Sequence, residues 1–468
     1  SSSRAACATG RKIASAIEAA DLKYRRPVAK LDRISDDKSA FEHFVRITIP
    51  DVYHQPDRAG IYPELLERLV ASVYDAILQG VHVFAEKSGY ALPAHYRAYG
   101  RSQLEKVAHH VDRKISQVCD SFDFLLSVTP INSAEAWDQF CASDYCHQPA
   151  FRYRPLTIST DEMKRQLHAI DVDAIEDPVL IKIFREKQRE IDHQLTMLQL
   201  REGDGFREAG VLVYGQVSDQ EYQSALGLLD GIEVDTGSNH PESEKRYDCH
   251  GIQEAAERMC ATYRQQDGNF TPDIHIRDDL PAGLMVSRGN LLISRHSSVP
   301  GHRLHALLSH EIGVHLVTYF AGKAQPLKIF CNGLAGYEGV QEGLGVFAEF
   351  AVGGLTPARL KLLAGRVVAC RMLLDDADFI ETFRRLKNEH DFAPRAAFNL
   401  ALRVYRAGGL VKDAIYLRGL QTVLDTLAEK GTLDPFWVGK IAPWHAADVS
   451  ELIDRHLLKP APVKPAFL

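Results

Sequence analysis

The sequence predicts an α+β protein that is mostly α. Apolar residues recur at helical spacing over most of the chain, as in Leu65, Leu66, Leu69, Val70 and Val73. Strand-like alternation is densest in a short stretch, 273–294, where Asp273-Ile-His-Ile-Arg precedes two apolar runs on either side of Arg288-Gly289. A helical pattern carrying His310, Glu311 and His315 begins soon after it. At 468 residues the chain exceeds one simple core, so two or three domains or subdomains are expected.

Taken in order, Ala14–Leu22 reads as a short helix, Phe44–Ile49 as a strand stopped by Pro50, and 62–86 and 101–128 as two helices. Ser133 is placed to cap a helix over Ala134–Phe140. Helical patterns follow over 160–169 and 177–201, and Val211–Gly215 reads as a strand or short connector. Ser218 and Glu221 have the spacing of a capping box for a helix over 219–229. Asp235–Glu244 is polar and turn-rich and reads as a loop. Cys249–Arg264 is helical, and a strand over 273–277 and a hairpin around Arg288-Gly289 complete a small sheet. Helices are then expected over 302–320, 338–353, 357–374, 377–388, 394–406 and 412–430. Lys459-Pro-Ala-Pro-Val-Lys-Pro reads as an extended tail. The expected division is a helical N-terminal extension over 1–105, a main domain over 106–432, and a C-terminal packing segment with its Pro-rich tail over 433–468.

Composition narrows the partners. Hydrophobic residues at 45% and charged residues at 25% are ordinary globular values. A formal net charge of -7 is too mild to attract nucleic acid or an anionic membrane, and neither is expected. The eight cysteines form no CxxC pair, which argues against a thiolate zinc knuckle and a disulfide framework. Residues 1–26 lack an apolar run of the secretory kind and no long uncharged apolar run occurs, so a cytoplasmic protein is expected.

The chemistry concentrates at 304–350. His310, Glu311 and His315 form HExxxH, one residue longer than the HExxH of zinc peptidases. Zinc in a hydrolytic site takes neutral imidazoles and a carboxylate and keeps one position open. On a regular helix, histidines five apart diverge by about 140°, too far for one ion. A π-type turn between Ser309 and Leu316 would bring them onto one face, and Gly313 between them suits such a distortion. Glu311 is placed to act as general base toward a metal-activated water. By spacing alone the third ligand stays open among Glu338, Glu342 and Glu349. His302 and His305, three apart, are a second geometric option but have no neighbouring carboxylate to serve as base. The small sheet just before the helix suits a peptidase, since an edge strand holds an extended peptide by backbone hydrogen bonds.

Several segments together resemble a known family. His310-Glu-Ile-Gly-Val-His, Gln325-Pro-Leu, Gly333-Leu-Ala-Gly-Tyr-Glu and Gln341-Glu-Gly-Leu-Gly are similar to the bacterial QEGLA-motif branch of the microtubule-associated tyrosine carboxypeptidase-like zinc metallopeptidases, over about residues 110 to 430. The resemblance implies a zincin-like core, Zn2+ as cofactor, His310, His315 and Glu342 as its ligands, and Glu311 as catalytic base. Gly345 stands where the branch usually has Ala, a swap expected to leave the chemistry unchanged. Residues 403–417 resemble a family segment and are rich in donors: Arg403 or Arg406 would grip a terminal carboxylate, Tyr416 would steady the oxyanion, and Lys412 would support them.

The expected function is therefore a zinc metallopeptidase of carboxypeptidase type acting on a peptide or protein C-terminus. The alternatives are zinc hydrolysis of another amide, or a non-catalytic binding protein on the same fold. Glu311 speaks against the last, because a structural metal site needs no base beside its ligand.

Overall fold

The protein is described by a computed structural model over residues 2–23, 26–32, 45–56, 60–100, 104, 106–232, 245–278, 280 and 283–468. The expected loop Asp235–Glu244 and Phe44 of the expected first strand lie outside these residues. The chain forms two compact units, one of 1–105 with 449–458, the other of 106–448 with 459–468.

In the first unit the helices Ser2–Glu18 and Pro63–Ser88 pack so closely that a Cβ on Gly80 would overlap the Ile13 side chain. The first helix starts well before the expected Ala14. Its buried face begins with the small residues Ala5 and Thr9, four apart from each other and from Ile13, which an apolar pattern passes over. Residues 45–49 form no strand; a strand needs a neighbour for its backbone groups, and none pairs with them among the described residues. Arg97 links the pieces, donating Nε to Asp75 at 2.6 Å and Nη1 to Glu451 at 2.7 Å.

The second unit is mostly helical around a three-stranded sheet. Asn290–Ser294 is the central strand, parallel to Ile274–Arg277 and antiparallel to Leu284–Ser287. Leu291 and Ile293 are fully buried, as a central strand covered by helices requires. The hairpin turns at Arg288 (φ 49°) and Gly289 (φ 77°), both left-handed, the form whose twist matches paired strands. Leu284–Ser287 is left as an edge of this sheet.

Further readings are corrected in this unit. Val211–Gly215 is not a strand or connector but the end of the helix Phe206–Tyr214 and its cap; short apolar runs do not distinguish the two by periodicity. Ser133 lies inside its helix, Ser133–Ala142, and Asn132 precedes it. The Asn132 side chain is turned to a neighbouring segment, donating to the Ala150 carbonyl and accepting from the Arg152 amide. The capping box of Ser218 and Glu221 is formed as expected.

Two features position the centre of this unit. The helices Tyr337–Ala351 and Ile415–Lys430 cross backbone against backbone: a Cβ on Gly343 would overlap Gly419, and one on Gly419 would overlap the Gly339 carbonyl. Gly419→Ala is expected to destabilise the protein by about 1–3 kcal/mol or more through overpacking, read as a fall in the urea midpoint at unchanged slope. The tail 459–468 folds back onto the unit. Lys459 exchanges hydrogen bonds with Gln325, the Ala466 amide donates to Tyr263 Oη at 3.1 Å, and Phe467 lies against Gly313. No helix among the described residues is long and apolar enough to cross a membrane.

Candidate active site

The helix Gly301–His310 runs into a π-helical turn, Glu311–Leu316, and continues as Val317–Lys323. This is the distortion that five-residue spacing demands. It brings the His310 and His315 rings to 5.0 Å between centroids. Gly313 sits at the tight point, where a Cβ would lie 3.1 Å from Tyr263 Oη and 3.2 Å from the Phe467 ring.

Glu342, on the crossing helix Tyr337–Ala351, meets both imidazoles. Its Oε2 is 3.5 Å from His310 Nε2 and 3.9 Å from His315 Nε2. The donor atoms of His310, His315 and Glu342 all lie within 4.8 Å of one another, and no other group of three or more such residues converges among the described residues. The two carboxylates that spacing left open have other partners. Glu338 pairs with Lys412 at 2.8 Å. Glu349 stands behind His310, its Oε1 3.0 Å from Nδ1. Arg303 and Arg359 hold Glu349 in place at 2.7 and 3.0 Å. His315 is backed more loosely by Gln341, 3.4 Å from Nδ1, and Gln341 accepts from Thr318 Oγ1 at 2.8 Å.

The charge states follow from burial and neighbours. Burial opposes a charge on His310, but the Glu342 and Glu349 carboxylates outweigh it and raise its pKa to about 9. Burial pulls His315 down to about 4, so it stays neutral. Burial also works against charge on Glu342 and Glu349, yet His310 and nearby cations hold both well below the ordinary carboxylate range. Burial raises Glu311 to about 7, and His310 offsets this only in part. The proton on His310 thus sits among carboxylates where a cation could replace it. Two imidazoles whose far nitrogens are held from behind, plus an ionised carboxylate, fit a divalent metal of the zinc type.

Gly345, where the motif departs from the branch, lies against the His310 ring. A Cβ at this position would overlap the His310 imidazole, so the glycine leaves the room that the ring occupies.

These groups line one cavity of about 920 Å³, with the edge strand Leu284–Ser287 as one wall and Arg403, Arg406, Lys412 and Tyr416 also on its lining. Arg403 is engaged by Asp413, donating Nη2 to Oδ1 at 3.0 Å and Nε to Oδ2. Arg406 is buried and donates Nη1 to Thr129 at 3.3 Å. Lys412 lies 3.8 Å from Glu342, beyond hydrogen-bonding reach. Sequence reasoning named Glu349 only as a possible ligand, not as a support of His310, and missed Arg303 and Arg359, and also Arg366, which lines the same cavity. For Glu349 a signal existed: it lies seven residues after Glu342, on the same helix face.

A mostly helical fold, a small sheet, and a convergent His-His-Glu group with a glutamate beside it in a cavity describe a peptidase-like enzyme. The chain belongs to the microtubule-associated tyrosine carboxypeptidase family, whose model matches residues 138–468. No curated protein matches it. Among solved structures, a similar chain is described as a lipoprotein of unknown function from Shewanella oneidensis. It is 13% identical, with 86% of this chain and 79% of that one covered and a TM-score of 0.35.

Proposed function

We propose that the protein is a zinc-dependent carboxypeptidase that releases a residue from the C-terminus of a peptide or protein. The observation that carries the reading is the convergence of His310, His315 and Glu342 beside Glu311 in one cavity. His310, His315 and Glu342 would hold the ion. When bound, zinc supplies Lewis acidity toward a substrate carbonyl and toward water.

The chain's own residues do the rest. Glu311, with its pKa near neutrality, takes a proton from the attacking water and returns it to the departing amine. Tyr416 donates its hydroxyl proton toward the developing oxyanion; burial raises its pKa, so it stays protonated. The edge strand Leu284–Ser287 offers backbone groups to an extended peptide. Arginines on the cavity wall take the terminal carboxylate, and Lys412 steadies Glu338 and Glu342.

Mass spectrometry of a peptide library incubated with zinc-loaded protein tests this. Loss of single C-terminal residues is expected, and cleavage only at internal bonds, or none, overturns it. Glu349→Gln is expected to weaken zinc binding about 10- to 100-fold by releasing the far side of His310, measured by competition with a chelating dye.

A further inference from the structure

Residues 1–105 lie outside the part of the chain that the family model matches, and they carry an unusual surface. Among the described residues, twelve of the twenty large apolar or aromatic side chains that stand exposed belong to this stretch, less than a quarter of the chain. The helix Pro63–Ser88 holds the densest part. Its Leu69, Ala76 and Gly80 are buried, with Gly80 set against Ile13 of the first helix. Yet every exposed residue of this helix between 70 and 81 is also apolar: Val70, Ala71, Tyr74, Ile77 and Val81. Val70, Tyr74, Ile77 and Val81 are between 37% and 58% exposed. They step by four, three and four residues, so they share one face over about 17 Å of helix. A surface helix ordinarily keeps one apolar face and buries it, and this one has a second.

The second face is complementary to itself. Its spacing reads the same in both directions, so a copy laid antiparallel sets Val70 against Val81 and Tyr74 against Ile77. The same contacts then repeat across a two-fold axis, as a closed dimer requires. The exposed charges stand at the ends, Glu64 in the first turn with Glu67 after it, and Lys87 in the last turn. By residue count an antiparallel copy brings Glu64 to the level of Lys87 and parts the two Glu67 carboxylates by about 25 Å. A parallel copy would set Glu67 level with Glu67, like charge against like, and align the two helix dipoles. With Tyr62 and Tyr90 at its ends, the face exposes on the order of 600 Å² per copy, and two copies reach the roughly 1,200 Å² at which stable interfaces begin. Glu64, Glu67 and Glu86 make the same helix a poor match for an anionic membrane.

We propose that the chain forms a homodimer in which the 70–81 faces of two copies pack antiparallel. The proposal is independent of the peptidase reading.

Sedimentation of the full chain at micromolar concentration is expected to give twice the mass of one chain. Val70→Glu combined with Ile77→Glu is expected to return the single-chain mass with helix content by circular dichroism unchanged. Oxidation of the double variant Val70→Cys with Val81→Cys is expected to cross-link two chains beyond the wild-type background, and neither single variant should do so. The cysteine variants keep the face nearly intact, so they decide the matter even where the glutamates prevent folding. A wild-type mass of one chain at every concentration overturns the proposal. A dimer that survives the two glutamates overturns it by placing the contact on another surface. Cross-linking by Val70→Cys alone overturns it by running the copies parallel.

Discussion

Glu311→Gln is expected to lower kcat by about 10²- to 10⁴-fold, the usual contribution of a positioned general base. The substitution removes the carboxylate that accepts the proton but keeps the shape and polarity of the side chain. His310, His315 and Glu342 remain where they are, so zinc content should match that of the wild type. The two measurements belong together. Loss of turnover with zinc retained assigns Glu311 to chemistry, whereas loss of both would make it a structural support of the ligand helix. A variant that cleaves as fast as the wild type would sink the proposed mechanism.

Asp413→Asn is expected to destabilise the protein by about 3–5 kcal/mol at neutral pH, because it leaves buried cations uncompensated. Burial works against the Asp413 charge, but Arg403 and Arg366 outweigh it and hold its pKa well below the ordinary value of 3.8. A carboxylate with a depressed folded-state pKa stabilises above its unfolded pKa, and that stability is lost as pH falls toward the folded value. The difference between wild type and variant should therefore be full at pH 7 and shrink below about pH 4. Urea midpoints at pH 7 and pH 3 measure it. A constant difference across that range would mean that hydrogen-bond acceptance on both oxygens, not charge, makes Asp413 necessary.

What could be read from the sequence is local. Ser218 and Glu221 meet across three residues of one chain segment, and the hairpin at Arg288-Gly289 needs only its own turn. The π turn followed from counting: two histidines five apart share one face only if the helix is widened. Features that depend on distant partners were not legible. Nothing near Ala5 or Thr9 announces that small residues line a helix contact with Gly80. Nothing around residues 45–49 reveals that no partner strand lies alongside. Arg303 reaches Glu349 across 46 residues, and Arg366 reaches Asp413 across 47, each from a helix where an arginine ordinarily faces water. Candidate ligands could be named because their spacing is a local fact; the charges that tune them arrive from elsewhere in the fold.

The widened turn at Glu311–Leu316 also bears on how such sites change over generations. It absorbs one extra residue within itself, so the helix segments before and after it stay in phase. Removing Gly313 would return the motif to four-residue spacing without rotating Val317–Lys323 away from its packing. Histidine pairs spaced four and five apart look like separate signatures in sequence comparison. In this fold they are one deletion from each other, with the helix segments on either side kept in phase.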